Sequence, residues 1–152
     1  ESFRGLVAFV EQVRPYYAKL RLVDDLLAIR DDEVLKVATY DFVSAEHGMA
    51  PRLADLRASQ QVVVSGPHWV DVTSPTASKG RALCRVQEAL GVTPDQTMAF
   101  GDFLNDLEMM DAATYSFAMA NAHPLLKERA RFVAPANNAN GVVRTIRTVL
   151  GP

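Results

Sequence analysis

The chain is short of several things, and each shortage narrows what it can be. It has one cysteine, Cys84, in 152 residues, so no disulfide can form within it. Cys84 falls on a predicted helix among apolar neighbours and reads as a small core residue. The chain then suits a reducing compartment, and the expected location is the cytoplasm. Positive charge is not in excess: 16 basic and 18 acidic residues leave a net charge of -2, which argues against a nucleic-acid partner. No apolar run approaches the ~20 residues of a membrane-spanning helix, so no membrane partner is expected. The three histidines, His47, His68 and His123, are scattered, and none has the spacing of a zinc ligand. They read as surface or packing residues. No secretory signal opens the sequence. It starts at Glu1 rather than at methionine, with a helical pattern under way by Phe3, which reads as a polypeptide that begins inside a larger protein.

What is present is a globular composition, 49% hydrophobic and 22% charged. Phe3, Leu6, Val7, Val10 and Val13 follow helical spacing, and Pro15 ends or kinks that helix. Asp31, Asp32 and Glu33 make a solvated polar break before a strand running from Val34 to Tyr40. Ser44 is placed to cap a helix reaching Ala58, with Pro51 near its start. Val62–Val64 and Trp69–Val72 flank a tight turn and predict a β-hairpin. Up to Val72 the pattern is α+β. The loop 73–77 shifts composition and is the expected domain boundary, dividing the chain into 1–73 and 74–152. Beyond it, Ser78 caps a helix from Lys79 to Leu90, with Ala82, Leu83, Val86 and Leu90 on the buried side and Gly91 as the stop. Strands at Thr97–Phe100, Tyr115–Met119 and Phe132–Val133 then alternate with helices at Asp106–Ala112, Pro124–Ala130 and Gly141–Leu150. That alternation predicts an α/β fold with a parallel sheet.

Chemistry is concentrated at Gly101-Asp102-Phe103-Leu104-Asn105-Asp106, a turn at the carboxyl end of a predicted strand. Ligands of open α/β sheets bind at such ends. Gly101 is expected to let the chain bend sharply there. Two carboxylates four residues apart can present hard oxygens to a divalent cation. They can equally begin a helix, with Asn105 or Asp106 as its N-cap, and both readings are open. Lys79 opposes the positive end of its own helix dipole. That placement makes sense where an anion binds, because helix N-termini and lysines cradle phosphate; taken alone, a lysine that simply extends into water is the simpler reading. The predicted sheet brings Lys79, Asp102, Asn105 and Asp106 to one edge.

Ser78-Lys79-Gly80, the Gly101–Asp106 turn with Met109, Ala118-Met119-Ala120-Asn121-Ala122 and Asn140-Gly141-Val142 together resemble the haloacid dehalogenase-like phosphatases. The nearest branch is the Cof-type one, whose members mostly hydrolyse sugar phosphates and other small phosphoesters. The resemblance is dense over 61–150. It implies part of a Rossmann-like core preceded by part of an α+β cap domain, and a small phosphorylated substrate. It implies Asp102 as ligand to Mg²⁺, Asp106 as the second metal-site carboxylate, Asn105 as the phosphate-contacting amide, and Lys79 as the lysine bridging phosphate and nucleophile. Asn121 lies in a family-like segment where relatives usually carry glycine in place of Ala120. One part is missing. The family's nucleophile sits in a D-x-D-G-[TV] segment, and the nearest string here, Asp71-Val72-Thr73, lacks the second aspartate. Water would then have to attack unaided, so the covalent step and its central strand are expected outside this chain, and the chain alone is expected to be inactive. Phosphomutase chemistry on the same scaffold and a non-catalytic phosphate- and metal-binding module are the alternatives. A truncated sheet would expose an edge, which predicts pairing with a second copy.

Overall fold

The computed structural model describes residues 3–151. The chain divides into two compact units, Glu1–Val34 and Leu35–Pro152. In the first, α1 (Phe3–Val13) passes into a 3-10 turn at Arg14–Tyr16. Pro15 lies at the start of that turn, where its missing N–H costs nothing. Asp25 caps a second 3-10 turn, Leu26–Ala28, by accepting from the Leu27 amide at 2.8 Å. Val10 and Val13 are buried, whereas Leu6 and Val7 are nearly half exposed.

The second unit contains two three-stranded sheets. One is antiparallel, in the order β1 (Lys36–Tyr40), β3 (Trp69–Thr73), β2 (Gln61–Gly66). Val62, Val64 and Val70 are buried on one face with Ala45 and Ala50. Val63 pairs with Asp71 and Gln61 with Thr73 on the opposite face. The segment after Ser44 is not the continuous helix that its capping pattern predicts. It breaks into a π-helical turn (Ala45–Met49), the one-turn α2 (Ala50–Arg52) and a 3-10 turn (Ala54–Ala58). The Ala50 amide reaches back five residues to the Ala45 carbonyl. Pro51, with no amide hydrogen, enters immediately afterwards. Asp41 holds the start of the segment by accepting from the amides of Val43 and Ser44. Those bonds favour its ionised form and bring its carboxyl below the usual value.

The other sheet is parallel, in the order β4 (Met98–Gly101), β5 (Tyr115–Met119), β6 (Phe132–Ala134). Phe100, Phe117 and Phe132 pair across it and stack with ring centroids 5.0 and 5.1 Å apart. Between the strands run α4 (Leu107–Ala112) and α5 (Pro124–Arg129), and after them α6 (Gly141–Leu150). The core of this layer is Ala99, Met110, Phe117, Ala118, Met119 and Leu126 with their neighbours. Among the described residues β4 has one paired edge and one open edge.

The helix α3 (Lys79–Leu90) begins at Ser78, whose hydroxyl accepts from the Arg81 amide, and ends at Gly91 with φ 65°. Its buried side differs from the predicted one. Gly80, Leu83 and Gln87 face inward, while Ala82, Cys84, Val86 and Leu90 are exposed. The reason is a backbone contact. A Cβ on Gly80 would overlap the Glu108 Cβ and lie 2.8 Å from its carbonyl carbon. Glycine therefore lets α3 lie directly on α4, and this rotation turns Cys84 outward. The buried Gln87 amide donates to Thr97 Oγ1 and to the Ala112 carbonyl, tying the far end of α3 to the same layer.

Candidate active site

The carboxyl ends of β4, β5 and β6 meet at one rim, and the predicted chemistry collects there. The turn after β4 is a 3-10 turn, Leu104–Asp106, leading directly into α4. Asp106 stands at the N-cap position of α4, yet its side chain makes no capping bond. It folds back instead. Its Oδ2 accepts from the Asp102 amide at 3.0 Å and the Phe103 amide at 3.5 Å, and its Oδ1 lies 2.5 Å from Lys79 Nζ. Asp106 is 4% exposed, so both oxygens are committed to the protein, as a buried carboxylate requires.

Gly101 has a different job from the predicted one. Its backbone is not in the left-handed region. A Cβ there would lie 2.6 Å from Asp106 Cβ and 3.0 Å from Oδ2. Glycine is needed to admit the Asp106 side chain against the strand, not to turn the chain.

Asp102 is placed oppositely. Its amide is held by Asp106 and its carbonyl accepts from the His123 amide at 2.9 Å, so the backbone is fixed from both sides. Its Oδ2 accepts from Asn137 Nδ2 at 3.1 Å. Its Oδ1 makes no hydrogen bond or ion pair among the described residues and is open to a ligand. Lys79 is brought to this turn through Asp106, and its side chain remains about half exposed. The N-terminal end of α3 is also clamped to α4, because the Ser78 hydroxyl donates to Glu108 Oε2. Lys79, Asn105, Leu104 and Glu108 line a cleft of about 270 Å³ with Gln61, Val63, Asp71 and Thr73 of the antiparallel sheet. Lys36 reaches Asp71 at 3.1 Å on that sheet. The apolar side chains of the turn, Phe103 and Leu104, pack into the core of the same sheet.

Asn137, at the rim, was not singled out from sequence, and Asn121 was placed in a family-like segment without a role. Asn137 bonds the Asp102 carboxylate, and Asn121 brackets Asn137: Asn121 Oδ1 accepts from the Asn137 amide at 3.1 Å, and Asn121 Nδ2 donates to Asn137 Oδ1 at 3.2 Å. His123, read as a packing histidine, caps α5 through Nδ1, which accepts from the Leu125 amide. That leaves its proton on Nε2, 3.4 Å from Glu46 Oε2. The only signal for Asn137 was its nearness to the Asn140-Gly141 motif.

A profile of haloacid dehalogenase-like hydrolases matches residues 9–146. The chain belongs to the haloacid dehalogenase-like hydrolase family. Phosphoglycolate phosphatase of Methanothermobacter thermautotrophicus is 38% identical over 82 residues, covering 54% of this chain and 37% of that protein. The 5-amino-6-(5-phospho-D-ribitylamino)uracil phosphatase YbjI of Escherichia coli is 29% identical over 138 residues, 89% of this chain and 50% of that one. The crystal structure of SMU.1108c from Streptococcus mutans superposes with a TM-score of 0.86 at 28% identity, covering 95% of this chain and 55% of that one. A haloacid dehalogenase-like hydrolase of Bacillus subtilis matches with a TM-score of 0.75 at 25% identity, over 97% and 53% of the two chains. The chain thus spans about half or less of the length of these relatives.

The donors at this family rim suit a hard cation. They are carboxylate oxygens with no sulfur, and one of them, Asp102 Oδ1, is unused. Mg²⁺ binds through one or two carboxylates, keeps several waters and shares substrate phosphate. Among the described residues no cluster of three acidic, histidine or cysteine side chains forms a complete metal cage, which such a shared site does not need.

Proposed function

We propose that this chain is the phosphate- and metal-handling portion of a Mg²⁺-dependent phosphatase acting on small phosphoesters of the sugar-phosphate type. The observation that carries the reading is the open Asp102 Oδ1 on a turn that Asp106 ties to the Lys79 ammonium. In this reading 1–73 belong to a cap and 74–152 to the catalytic core. The names of the relatives, phosphatases of phosphorylated small molecules, support the substrate class.

Each residue then has a physical task. Asp102 would hold Mg²⁺ through Oδ1, and the cation when bound would offset the charge of the transferring phosphoryl group. Lys79 supplies a fixed positive charge to the phosphate oxygens, and Asn105, beside it in the cleft, supplies amide donors. Asp106, with both oxygens committed to Lys79 and to the Asp102 and Phe103 amides, keeps the ammonium and the Asp102 backbone in register. The sequence holds no D-x-D-G-[TV] segment, so in this reading the nucleophile would be an aspartate that this chain does not supply. Its carboxylate oxygen would bond to phosphorus as the ester oxygen leaves, and water would then hydrolyse the acyl phosphate. The polar face of the antiparallel sheet, with Gln61, Asp71 and Thr73, would meet the leaving group. The full-length protein is expected to release inorganic phosphate from sugar phosphates with Mg²⁺ and to lose that activity on chelation. Release that is indifferent to chelation would overturn the reading.

For the 152-residue chain by itself the open edge of β4 is proposed to pair with a second copy, as unpaired strand edges do. Sedimentation of this chain as a monomer at high concentration would reject that pairing.

A further inference from the structure

We infer that Asn137 is a positioning residue for Asp102, holding its carboxylate by one oxygen so that the other faces the cation, and that Asn121 acts through Asn137. The inference rests on the reading of the rim as a metal site. It adds Asn137 and gives a role to Asn121, which the family-like segment contains without assigning it one.

The argument starts from how firmly Asn137 is itself held. It opens a 3-10 turn, Asn137–Ala139. Behind that turn the Gly141 amide donates to the Ala136 carbonyl at 3.2 Å, and Asn140 adopts a left-handed conformation with φ 54°. The backbone of the turn is therefore closed on itself just beyond β6. The Asn121 side chain, just beyond β5, then makes two hydrogen bonds to Asn137, one to its amide and one to its side-chain oxygen. With Oδ1 of Asn137 accepting from Asn121, the side-chain NH₂ is turned toward Asp102, where it donates at 3.1 Å. Three strand ends are thus linked in one chain: Asn121 after β5, Asn137 after β6, Asp102 after β4.

The consequence is rotational. A half-buried carboxylate with no other partner can spin about its terminal torsion. One hydrogen bond to Oδ2 fixes that torsion and leaves Oδ1 aimed outward. Partners of metal-ligating carboxylates set ligand orientation, and their loss typically costs roughly 10- to 100-fold in metal affinity or activity. Both asparagines are exposed, so the effect is expected near the lower end.

The test uses the full-length protein with Mn²⁺ as a spectroscopic probe and Mg²⁺ in the assay. Asn137→Ala is expected to weaken Mn²⁺ binding, read by electron paramagnetic resonance, about 10-fold, and to raise the Mg²⁺ needed for half-maximal turnover by a similar factor. Turnover at saturating Mg²⁺ should change little. Asn121→Ala should shift both in the same direction, and the double variant should be no worse than Asn137→Ala, because the two act in series. Asn138→Ala, at the neighbouring exposed position, should change nothing. Unchanged Mn²⁺ affinity in Asn137→Ala would overturn the inference while the metal site stands, even if the variant melts earlier. A raised substrate KM at unchanged Mg²⁺ requirement would also overturn it, marking Asn137 as a substrate contact. Wild-type protein that binds no Mn²⁺ would overturn both this inference and the reading of the rim.

Discussion

Asp102→Ala in the full-length protein is expected to lower Mg²⁺-dependent phosphate release by roughly 10²- to 10³-fold, the scale of removing one electrostatic stabiliser, with little change in stability. The two halves of that expectation come from different atoms. The backbone of Asp102 is secured by its amide to Asp106 Oδ2 and by its carbonyl to the His123 amide, and alanine keeps both. The half-buried side chain holds a single hydrogen bond, to the exposed Asn137. Its loss should cost no more than about 1 kcal/mol. Activity and melting should therefore separate. Full activity in a properly folded Asp102→Ala protein would show that the rim has been assigned to the wrong chemistry.

Gly141→Ala is expected to act in the opposite way, on the fold first. A Cβ at Gly141 would fall on the Pro135 carbonyl oxygen, 2.6 Å from the Pro135 carbonyl carbon and 2.7 Å from Met119 Cε. Met119 is 3% exposed, so the space is closed on that side too. The obstacle is mostly backbone, which cannot rotate aside as a side-chain tip can, and relief would require α6 to move away from β6. Overpacking of this kind costs typically about 1–3 kcal/mol and sometimes more. We expect about 3 kcal/mol, read as a lowered urea midpoint with an unchanged slope. The same shift would displace the Asn137 turn, whose backbone depends on the Gly141 amide. A midpoint within error of wild type would mean that α6 is not seated as described.

The contrast between these two variants reflects how the rim is built. Its catalytic candidates are held by backbone and by one another, while the helices that carry them approach closely at glycines. Gly80 admits α4 against α3, and Gly101 admits Asp106 against β4. From sequence Gly101 reads as a turn glycine, and Gly80 falls inside the predicted helix. Neither has a positive φ, and what they provide is the absence of a side chain. Such a requirement cannot be read from one segment, because the atom that needs the space belongs to another.

The same distinction separates the helices whose limits were legible from the helix face that was not. Ser78 and Gly91 bound α3 through bonds to residues a few positions away, so its span followed from local chemistry. Which side of α3 is buried depends on its contact with α4, and apolar periodicity pointed to Val86 and Leu90, which lie exposed. The segment after Ser44 departs from a continuous helix for a local reason. Pro51 has no amide hydrogen, and the chain accommodates it by widening the preceding turn.

Alone, the sequence determined the order of helices and strands from Ser78 onward, the parallel character of the second sheet and the acidic turn after β4, because periodicity, caps and turn residues act over a few positions. Only the tertiary structure decided which oxygens of that turn are used and which is left open. Lys79 meets Asp106 across 27 positions and Asn137 meets Asp102 across 35, and the path that brings such residues to one rim is set by packing of the whole layer rather than by any stretch of it.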